Sequence, residues 1–174
     1  MSTIRVGQGF DVHRHLAAPD PARPLILGGV VFPDELGLIG HSDADVLLHA
    51  VVDALLGAAA LGDVGQMFPD TDPINRGRDS GEMVEAARDA VAAVGWQVVN
   101  VDCIVHAQRP RLLPHRQAMR LRIAELLGID PERLGPPTHF HAGRLQFEGW
   151  IDSNRNARAN PARLAKCRDP VELP

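Results

Sequence analysis

The chain has 174 residues, of which 45% are apolar and 23% charged, enough to build one globular domain with a buried core. Its net charge of −4 argues against a dedicated nucleic-acid binder, which usually presents a basic face. No apolar run reaches membrane-spanning length, and the first residues lack the pattern of a secretory signal, so we expect a cytoplasmic protein.

The first part of the chain predicts a strand, a hairpin and a long helix. Residues Ile4 to His13 predict an opening strand whose glycines let another backbone come close. Leu25 to Phe32 indicates a hairpin or a kinked pair of short strands. The sequence Ser42-Asp43-Ala44-Asp45 has the pattern of a capping box. A helix is therefore expected to begin there and to end near Leu61, with Gly62 as its stop.

The next segments alternate between loops, helices and a strand. Gly62 to Arg78 is rich in Gly, Pro and Asp and predicts a loop. Ser80 to Val94 predicts a helix, Trp96 to Ala107 a β-branched strand, and Pro114 to Leu127 another helix. This alternation predicts an α/β fold in which helices pack against a sheet. From Leu134 onward no period of a helix or a strand is visible, so no core strand is expected there.

The two cysteines, Cys103 and Cys167, lie far apart in the sequence. Cys103 sits in an apolar, β-branched run, which favours a buried free thiol over a disulfide or a metal ligand.

Three side chains form a candidate metal site. Asp11 and His13 are two residues apart, a spacing that brings both to the same face of a strand. His49 lies on the first predicted helix, on one face with Asp45 and Asp53. Two histidines and a carboxylate suit zinc with one position left open. By themselves, these residues fit an ordinary strand with a polar end and a histidine satisfied within the core better than they fit a metal site.

Several ordered motifs resemble the 2-C-methyl-D-erythritol 2,4-cyclodiphosphate synthase family of the non-mevalonate isoprenoid pathway. They are Gly9 to His13, Gly40 to Asp45, His49, Asp53 to Gly65, Phe68 to Pro73, Asn100 to Asp102, and Ala107 to His115. The resemblance is nearly gap-free from Ile4 to Leu134. We therefore treat residues 1–134 as a family-like core and residues 135–174 as a divergent tail of the same domain.

The resemblance implies a fold, an assembly and a reaction. The fold is a single domain with a mixed sheet and helices on one side, and the assembly is a homotrimer with active sites between subunits. The expected enzyme class is a phosphorus–oxygen lyase. Its expected substrate is a small molecule, a cytidine diphosphate ester, and neither a nucleic acid nor a membrane is expected as a partner. In the reaction, a 2-phosphate attacks the β-phosphorus of that ester and releases CMP.

The resemblance also implies roles for individual residues. Zinc would be held by Asp11, His13 and His49, while His41 would stabilise the transition state and Ser42 would bind phosphate. A predicted helix start at Ser42 supports both roles, because free N–H groups there favour anions. The full set of implied substrate contacts is Asp11, Val12, His13, His41, Ser42, Asp63, Val64, Gly65, Phe68, Pro69, Asp70, Thr71, Asp72, Ala107, Gln108, Arg109, Pro110, Arg111, Leu112, Leu113 and Phe147.

The tail departs from the family. The family carries three threonines and a glutamate there, which contact phosphate and hold a second ion, Mg²⁺ or Mn²⁺. Aligned on Leu145 and Phe147, this chain has Gly143 in place of the glutamate and Trp150 where a basic residue is common. This puts the second ion, part of the phosphate site and the central sheet of the trimer in question. One hypothesis is that the tail is read out of frame.

Three alternatives remain open from the sequence. His139 and His141 have a spacing that would allow a separate metal site. The chain as a whole could be a catalytically impaired zinc-binding relative. It could also be a zinc phosphodiesterase or hydrolase, in which a zinc-bound water is the nucleophile and the product is linear.

Overall fold

The computed structural model of the chain describes residues 4–135, together with the backbone of residues 138–140 and 147–152. The strands in this part are β1 (Val6–Gly9), β2 (Leu25–Leu27), β3 (Val30–Phe32), β4 (Asn100–His106), β5 (Thr138–Phe140) and β6 (Phe147–Asp152). The α-helices are α1 (Val46–Ala59), α2 (Val64–Met67), α3 (Ser80–Ala93) and α4 (Arg116–Leu127). Short 3-10 turns lie at Pro73–Asn75, Leu113–His115 and Pro131–Arg133.

Four strands form a mixed sheet in the order β1-β6-β4-β5. β6 pairs antiparallel with both β1 and β4, whereas β4 and β5 run parallel. Along β4, buried residues alternate with half-buried ones, and the buried Val101, Cys103 and Val105 join the core formed with the helices. The helices thus cover one face of the sheet, and the combination of a mixed sheet with helices agrees with the expected fold class.

Helix α1 crosses directly over β1 because the contact surfaces are made of very small residues. A Cβ built on Gly7 would lie 1.9 Å from the carbonyl oxygen of Ala54, and one built on Gly9 would lie 1.8 Å from that of Ala50. Only glycine tolerates such an approach of two backbones. The prediction that the glycines of the opening strand allow a close backbone contact is confirmed. The contact brings the chain that follows β1 alongside the first turns of α1.

The hairpin of β2 and β3 is attached to the start of α1 by one carboxylate. Gly28 and Gly29 form its turn with φ of 58° and 72°, a conformation that favours glycine at both positions. The fully buried side chain of Asp45 accepts hydrogen bonds from the backbone N–H groups of both glycines. It also caps α1 by accepting from the N–H groups of Leu47 and Leu48.

Several predicted boundaries differ from the structure. The opening strand is shorter than Ile4 to His13, because it pairs with β6 only from Val6 to Gly9. Helix α1 begins at Val46, since Asp45 caps it, and it ends at Ala59 with Ala60 in the left-handed region. The predicted loop from Gly62 to Arg78 contains α2 and a 3-10 turn, which are capped by aspartates of that segment.

The later elements also move by a few residues. Helix α3 ends at Ala93, and β4 begins at Asn100 because residues 96–99 lie before the ladder with β6 starts. Pro114 lies in a 3-10 turn, and α4 begins after it at Arg116.

The expectation of no core strand after Leu134 is wrong, because β6 lies between two other strands of the main sheet. The backbone of β6 pairs on both sides and forms an interior strand of the sheet. Its sequence, Phe-Glu-Gly-Trp-Ile-Asp, has two adjacent bulky residues and a glycine, which hide the alternation expected of a strand. Pairing requires only backbone groups, which β1 and β4 supply from either side. Gly143, Leu145 and His141 lie outside the described residues, as does Cys167.

Two further sequence predictions concern the core and the membrane. Cys103 is a free thiol and only 1% exposed, as predicted. Burial raises the pKa of this thiol to about 12. Within the described part of the chain, the helices are all too short or too polar to cross a lipid bilayer.

Candidate metal centre

Asp11, His13 and His49 converge on one point. The Asp11 Oδ2 atom lies 3.0 Å from His13 Nε2 and 3.1 Å from His49 Nδ1. The three ligand atoms all lie within 4.8 Å of one another. Ligands bound about 2.0–2.2 Å from a tetrahedral ion are separated by about 3.4 Å, so this spacing suits a single metal ion. The predicted grouping of these three residues is confirmed, and the group could hold a metal ion.

The route by which Asp11 and His13 reach this point differs from the prediction. Both follow the end of β1 and are not on one face of a strand. Asp11 instead lies in an irregular segment, where its Oδ1 atom accepts a hydrogen bond of 2.7 Å from the Val12 N–H. The close contact between β1 and α1 then brings this segment to His49, which is buried on α1. Close packing of two backbones produces the convergence that strand spacing was expected to give.

The His13 ring is oriented by the chain between β3 and α1. Its Nδ1 atom lies 2.6 Å from the carbonyl oxygen of Ile39. Because a carbonyl only accepts, Nδ1 carries a proton, and Nε2 is the ring nitrogen that faces Asp11 and would bind a metal ion. A Cβ on the adjacent Gly40 would lie 2.9 Å from the same ring. Gly40 therefore leaves the space that the imidazole needs.

The His49 ring is oriented from its other side by two serines. Its Nε2 atom lies 3.0 Å from the Ser42 Oγ and 3.0 Å from the Ser80 Oγ. Ser80 is the first residue of α3, so the contact joins the starts of two helices. Because the two hydroxyls surround Nε2, Nδ1 faces Asp11. Sequence reasoning missed Ser80, since a serine at a helix start is ordinarily interpreted as part of a cap.

The electrostatics of the group favour a bound cation. Burial alone would raise the pKa of Asp11, but its hydrogen bonds and charge interactions with His13 and His49 hold that pKa well below its usual range. Burial alone would lower the pKa of His13, but the Asp11 carboxylate raises it above the usual value. The group therefore combines an ionised carboxylate with two imidazoles. The donor set and both ring orientations fit a metal ion.

His41 and Ser42 lie beside this group but not at a free helix end. The predicted support from exposed N–H groups at the start of α1 is wrong, because the Asp45 carboxylate already accepts from the N–H groups of Leu47 and Leu48. His41 is exposed, whereas Ser42 is buried. Their backbone is held by Arg23, whose Nη2 atom donates to the carbonyl oxygens of Gly40 at 2.6 Å and Ser42 at 2.9 Å. Sequence reasoning missed this role of Arg23.

The acidic segment after α1 is built around local caps. Asp63 is exposed and caps α2 by accepting from the Gln66 N–H at 2.8 Å, and Asp72 caps the following 3-10 turn. Asp53 on α1 accepts a 2.7 Å hydrogen bond from the Val64 N–H and fixes the segment to the helix that carries His49. Burial raises the pKa of Asp53. Of the other predicted contacts in this segment, Phe68 is buried and Pro69 is half-buried. Gly65, Asp70 and Thr71 are exposed.

The predicted cytidine segment from Ala107 to Leu113 follows β4. Its small and apolar members Ala107, Pro110 and Leu112 are buried and anchor it. Its polar and terminal members are exposed, namely Gln108, Arg109, Arg111 and Leu113. Arg109 lies 3.5 Å from Glu35 and keeps an 80% exposed side chain. Val12 is exposed beside the metal group, and for Phe147 only the backbone is described.

Comparison with known families and proteins gives a consistent result. The model of the YgbB family matches residues 4–135. A protein from Bordetella pertussis named 2-C-methyl-D-erythritol 2,4-cyclodiphosphate synthase is 59% identical over 127 residues, which cover 73% of this chain and 76% of that protein.

Solved structures show the same likeness. A structure of 2C-methyl-D-erythritol-2,4-cyclodiphosphate synthase in a CDP-bound form gives a TM-score of 0.73 at 32% identity, covering 86% of this chain and 98% of that one. The bifunctional IspDF from Campylobacter jejuni gives a TM-score of 0.80 at 35% identity. That match covers 88% of this chain but 43% of the longer bifunctional chain.

Proposed function

The chain belongs to the YgbB family, and we propose that it catalyses the 2-C-methyl-D-erythritol 2,4-cyclodiphosphate synthase reaction of isoprenoid biosynthesis. It converts 4-diphosphocytidyl-2-C-methyl-D-erythritol 2-phosphate to the 2,4-cyclodiphosphate and CMP. The observation that carries this proposal is the convergence of Asp11, His13 and His49 beside Ser42, within a chain 59% identical to a relative with that name.

The reaction is an intramolecular phosphoryl transfer, in the class of phosphorus–oxygen lyases. An oxygen of the 2-phosphate forms a bond to the β-phosphorus, and the bond from that phosphorus to the bridging oxygen breaks. The electron pair leaves with the bridging oxygen, which becomes part of CMP, and no water is consumed. Because the nucleophile is already an anion, the site needs no strong base and acts by alignment and charge neutralisation.

We propose that Asp11, His13 and His49 hold zinc. Two imidazoles and one carboxylate are a donor set of catalytic zinc sites, which keep a position open. A bound zinc ion supplies Lewis-acid polarisation of the phosphoryl group. The chain's own residues hold the ligand atoms in position before the ion binds, through Ile39 on one side and two serine hydroxyls on the other.

We propose that Ser42 donates to a phosphate oxygen and that His41 stabilises the charge that develops on the transferred phosphoryl group. Support for this comes from the backbone. Arg23 fixes the carbonyl groups on both sides of His41, and the Gly77 N–H donates to the carbonyl of His41 itself at 2.8 Å. The exposed imidazole is thus attached to a segment with a fixed path, which suits a residue that must meet a substrate.

The substrate contacts outside this centre are proposals that rest on the family. Carboxylates and backbone groups of residues 63–65 and 68–72 would receive the hydroxyl groups of the methylerythritol part. Residues 107–113 would receive the cytidine, and Phe147 would lie against the substrate. Exposed polar groups on anchored segments suit this role, because exposed loops attached to a rigid scaffold commonly bind ligands.

We also propose a homotrimer, with residues 1–134 as the family core and residues 135–174 as a divergent tail of the same domain. The sheet face that the described helices leave uncovered bears Val6, which is 54% exposed, and Phe10, which directly follows β1, is 50% exposed. Subunit contacts commonly cover such a face. We assign the reaction to the cytoplasm, because its substrate and products are multiply charged and do not cross a membrane unaided.

The experiment is to incubate the full chain with the cytidine-diphospho substrate, Zn²⁺ and either Mg²⁺ or Mn²⁺. The expected result is release of one CMP per cyclic product, whose mass shows that no water has been added. A linear product carrying one extra water would instead identify a phosphodiesterase or hydrolase. A folded, zinc-loaded protein that releases no CMP with either second ion would identify a catalytically impaired relative.

A further inference from the structure

We propose that Ser80 and Asp43 are positioning residues that fix the tautomer of His49 and thereby present its Nδ1 atom as a metal ligand. The inference rests on the proposed function only in that the bound group is a metal ion at Asp11, His13 and His49. The residues involved are close together and shielded. Ser80 is 0% exposed, and His49 is 8% exposed.

The proposal follows from assigning every hydrogen in the cluster. The Asp43 carboxylate accepts from two backbone N–H groups, those of Asp45 at 3.1 Å and Ser80 at 3.0 Å. The Ser80 Oγ–H donates to the same carboxylate in a short hydrogen bond. Since a serine hydroxyl has one hydrogen, the Ser80 Oγ can only accept from His49. His49 Nε2 therefore carries a proton and donates to the Ser80 Oγ.

With the Nε2 proton directed at Ser80, Nδ1 is the ring nitrogen left to bind a metal ion; in the metal-free chain it lies 3.1 Å from Asp11 Oδ2 and hydrogen-bonds to it. A metal ligand oriented by a carboxylate through its second ring nitrogen is a common arrangement. Here a serine hydroxyl lies between the carboxylate and the imidazole. The donor and acceptor of each hydrogen bond in the series Asp43–Ser80–His49 are fixed, because the Asp43 carboxylate can only accept.

The assignment has a second consequence for Ser42. Its Oγ also lies 3.0 Å from His49 Nε2 and accepts from the Ala44 N–H at 3.1 Å. With a proton on Nε2, the single Nε2–H is shared between the Ser80 and Ser42 oxygens, and the Ser42 hydroxyl hydrogen stays available for a ligand. Without Ser80, the Ser42 hydroxyl could donate to Nε2 instead. The ring would then carry its proton on Nδ1, and both the metal ligand and the Ser42 donor would be lost.

A role in helix stability does not account for the Ser80 hydroxyl. Helix α3 already has an N-cap in Asp79, whose carboxylate accepts from the Gly81 N–H at 2.7 Å. The Ser80 backbone N–H bonds to Asp43 whatever its side chain. The Ser80 hydroxyl therefore has a role separate from the N-cap of α3. Substituting Ser80 and Asp79 one at a time tests the two roles separately.

The test compares Ser80→Ala with Asp79→Ala in the full chain. Zinc affinity is measured by competition with a chromophoric chelator, and stability by thermal unfolding of the metal-free protein. Ser80→Ala is expected to weaken zinc binding by about 10- to 100-fold, the usual effect of losing an outer partner of a metal ligand. Asp79→Ala should lower the melting temperature and leave zinc affinity within about twofold of the unmodified chain, since Asp79 does not contact His49. Equal zinc affinity for Ser80→Ala and the unmodified chain would overturn the proposal.

Two further measurements cover a Ser80→Ala variant that does not fold. Ser80→Thr keeps the hydroxyl and should retain tighter zinc binding than Ser80→Cys, whose thiol is a weaker partner. Long-range ¹H–¹⁵N correlation of the imidazoles in the metal-free, unmodified chain should show the His49 proton on Nε2. A His49 Nε2 atom that carries no proton would overturn the proposal.

CMP release by the unmodified chain is measured in parallel. Weakened zinc binding in Ser80→Ala with no CMP from the unmodified chain would contradict the proposed function alone. Normal CMP release with unchanged zinc affinity in Ser80→Ala would contradict the positioning role alone.

Discussion

The metal group and the proposed substrate segments are built in opposite ways. Around Asp11, His13 and His49, the supporting side chains are buried, and each ring nitrogen has an assigned partner. In the segments 62–72 and 107–113, by contrast, the polar side chains are exposed, as at Arg109 with 80% exposure. The metal group is thus complete within one chain. The proposed substrate segments instead expose polar side chains that a ligand or a neighbouring subunit would contact.

The largest effect expected from this difference concerns a metal ligand. His13→Gln removes one of three ligands and should lower zinc affinity by more than about 100-fold, since even an outer partner accounts for about 10- to 100-fold. His15→Gln is the matched control, because the His15 ring also bonds to a backbone carbonyl, that of Leu36 at 3.0 Å, but lies outside the group. Chelator competition measures both. Similar losses in the two variants would show that the group is not the zinc site.

The second effect concerns the contact that brings the metal group together. Gly9→Ala would put a methyl group 1.8 Å from the Ala50 carbonyl oxygen, so β1 and α1 must separate. We expect a loss of about 3 kcal/mol or more in the free energy of unfolding, measured with urea. Gly57→Ala is the control, because a Cβ there meets nothing within 4 Å and should stabilise α1 by up to about 1 kcal/mol. Equal stability of the two variants would contradict the close-packing account.

A third, smaller effect separates metal binding from catalysis. Arg23→Ala removes the guanidinium that fixes the backbone around His41 and should lower kcat by about 10- to 100-fold, because misplaced catalytic groups have effects of this size. Zinc affinity should change little. Arg88→Ala is the control, since Arg88 also bonds to a backbone carbonyl, that of Leu126 at 2.7 Å, but joins α3 to α4. An unchanged kcat in Arg23→Ala would contradict the positioning of His41.

The smallest effect concerns Cys103, which lies in the core between the sheet and the helices. The thiolate of Cys103 is the reactive form, and burial raises its pKa to about 12. In a Cys167→Ser background, labelling by a disulfide reagent at pH 8 should therefore be slow and should accelerate about tenfold with each unit of rising pH. Unfolding in denaturant should restore fast labelling. Rapid reaction of the folded protein at pH 8 would mean that the core between sheet and helices opens readily.

The sequence predicted the members of the metal group but not the way they meet. Asp-x-His and a helical histidine suggested Asp11, His13 and His49, and the family resemblance favoured them as a metal site. Strand periodicity gave the wrong reason, because β1 ends at Gly9 and Asp11 lies in the irregular segment that follows it. The decisive feature is the close packing of β1 on α1. The sequence shows Gly7 and Gly9 but does not show that they pack against Ala54 and Ala50.

The start of α1 shows why caps are hard to predict. Ser42, Asp43 and Asp45 are all good capping residues, and local sequence does not rank them. In the fold, the Ser42 hydroxyl contacts His49, and the Asp43 carboxylate accepts a hydrogen bond from the Ser80 hydroxyl. Asp45 is the residue that caps α1. Distant parts of the chain decide the assignment, so no short window contains it. The same holds for β6, whose neighbours in the sheet lie far away in sequence.

The most direct test of the account is to locate zinc in the protein. A crystal of the zinc-loaded full chain, measured at the zinc absorption edge, should show one ion bound by Asp11 Oδ2, His13 Nε2 and His49 Nδ1, with the Ser80 hydroxyl on His49 Nε2. A zinc ion bound through His49 Nε2, or located away from these three residues, would contradict the account.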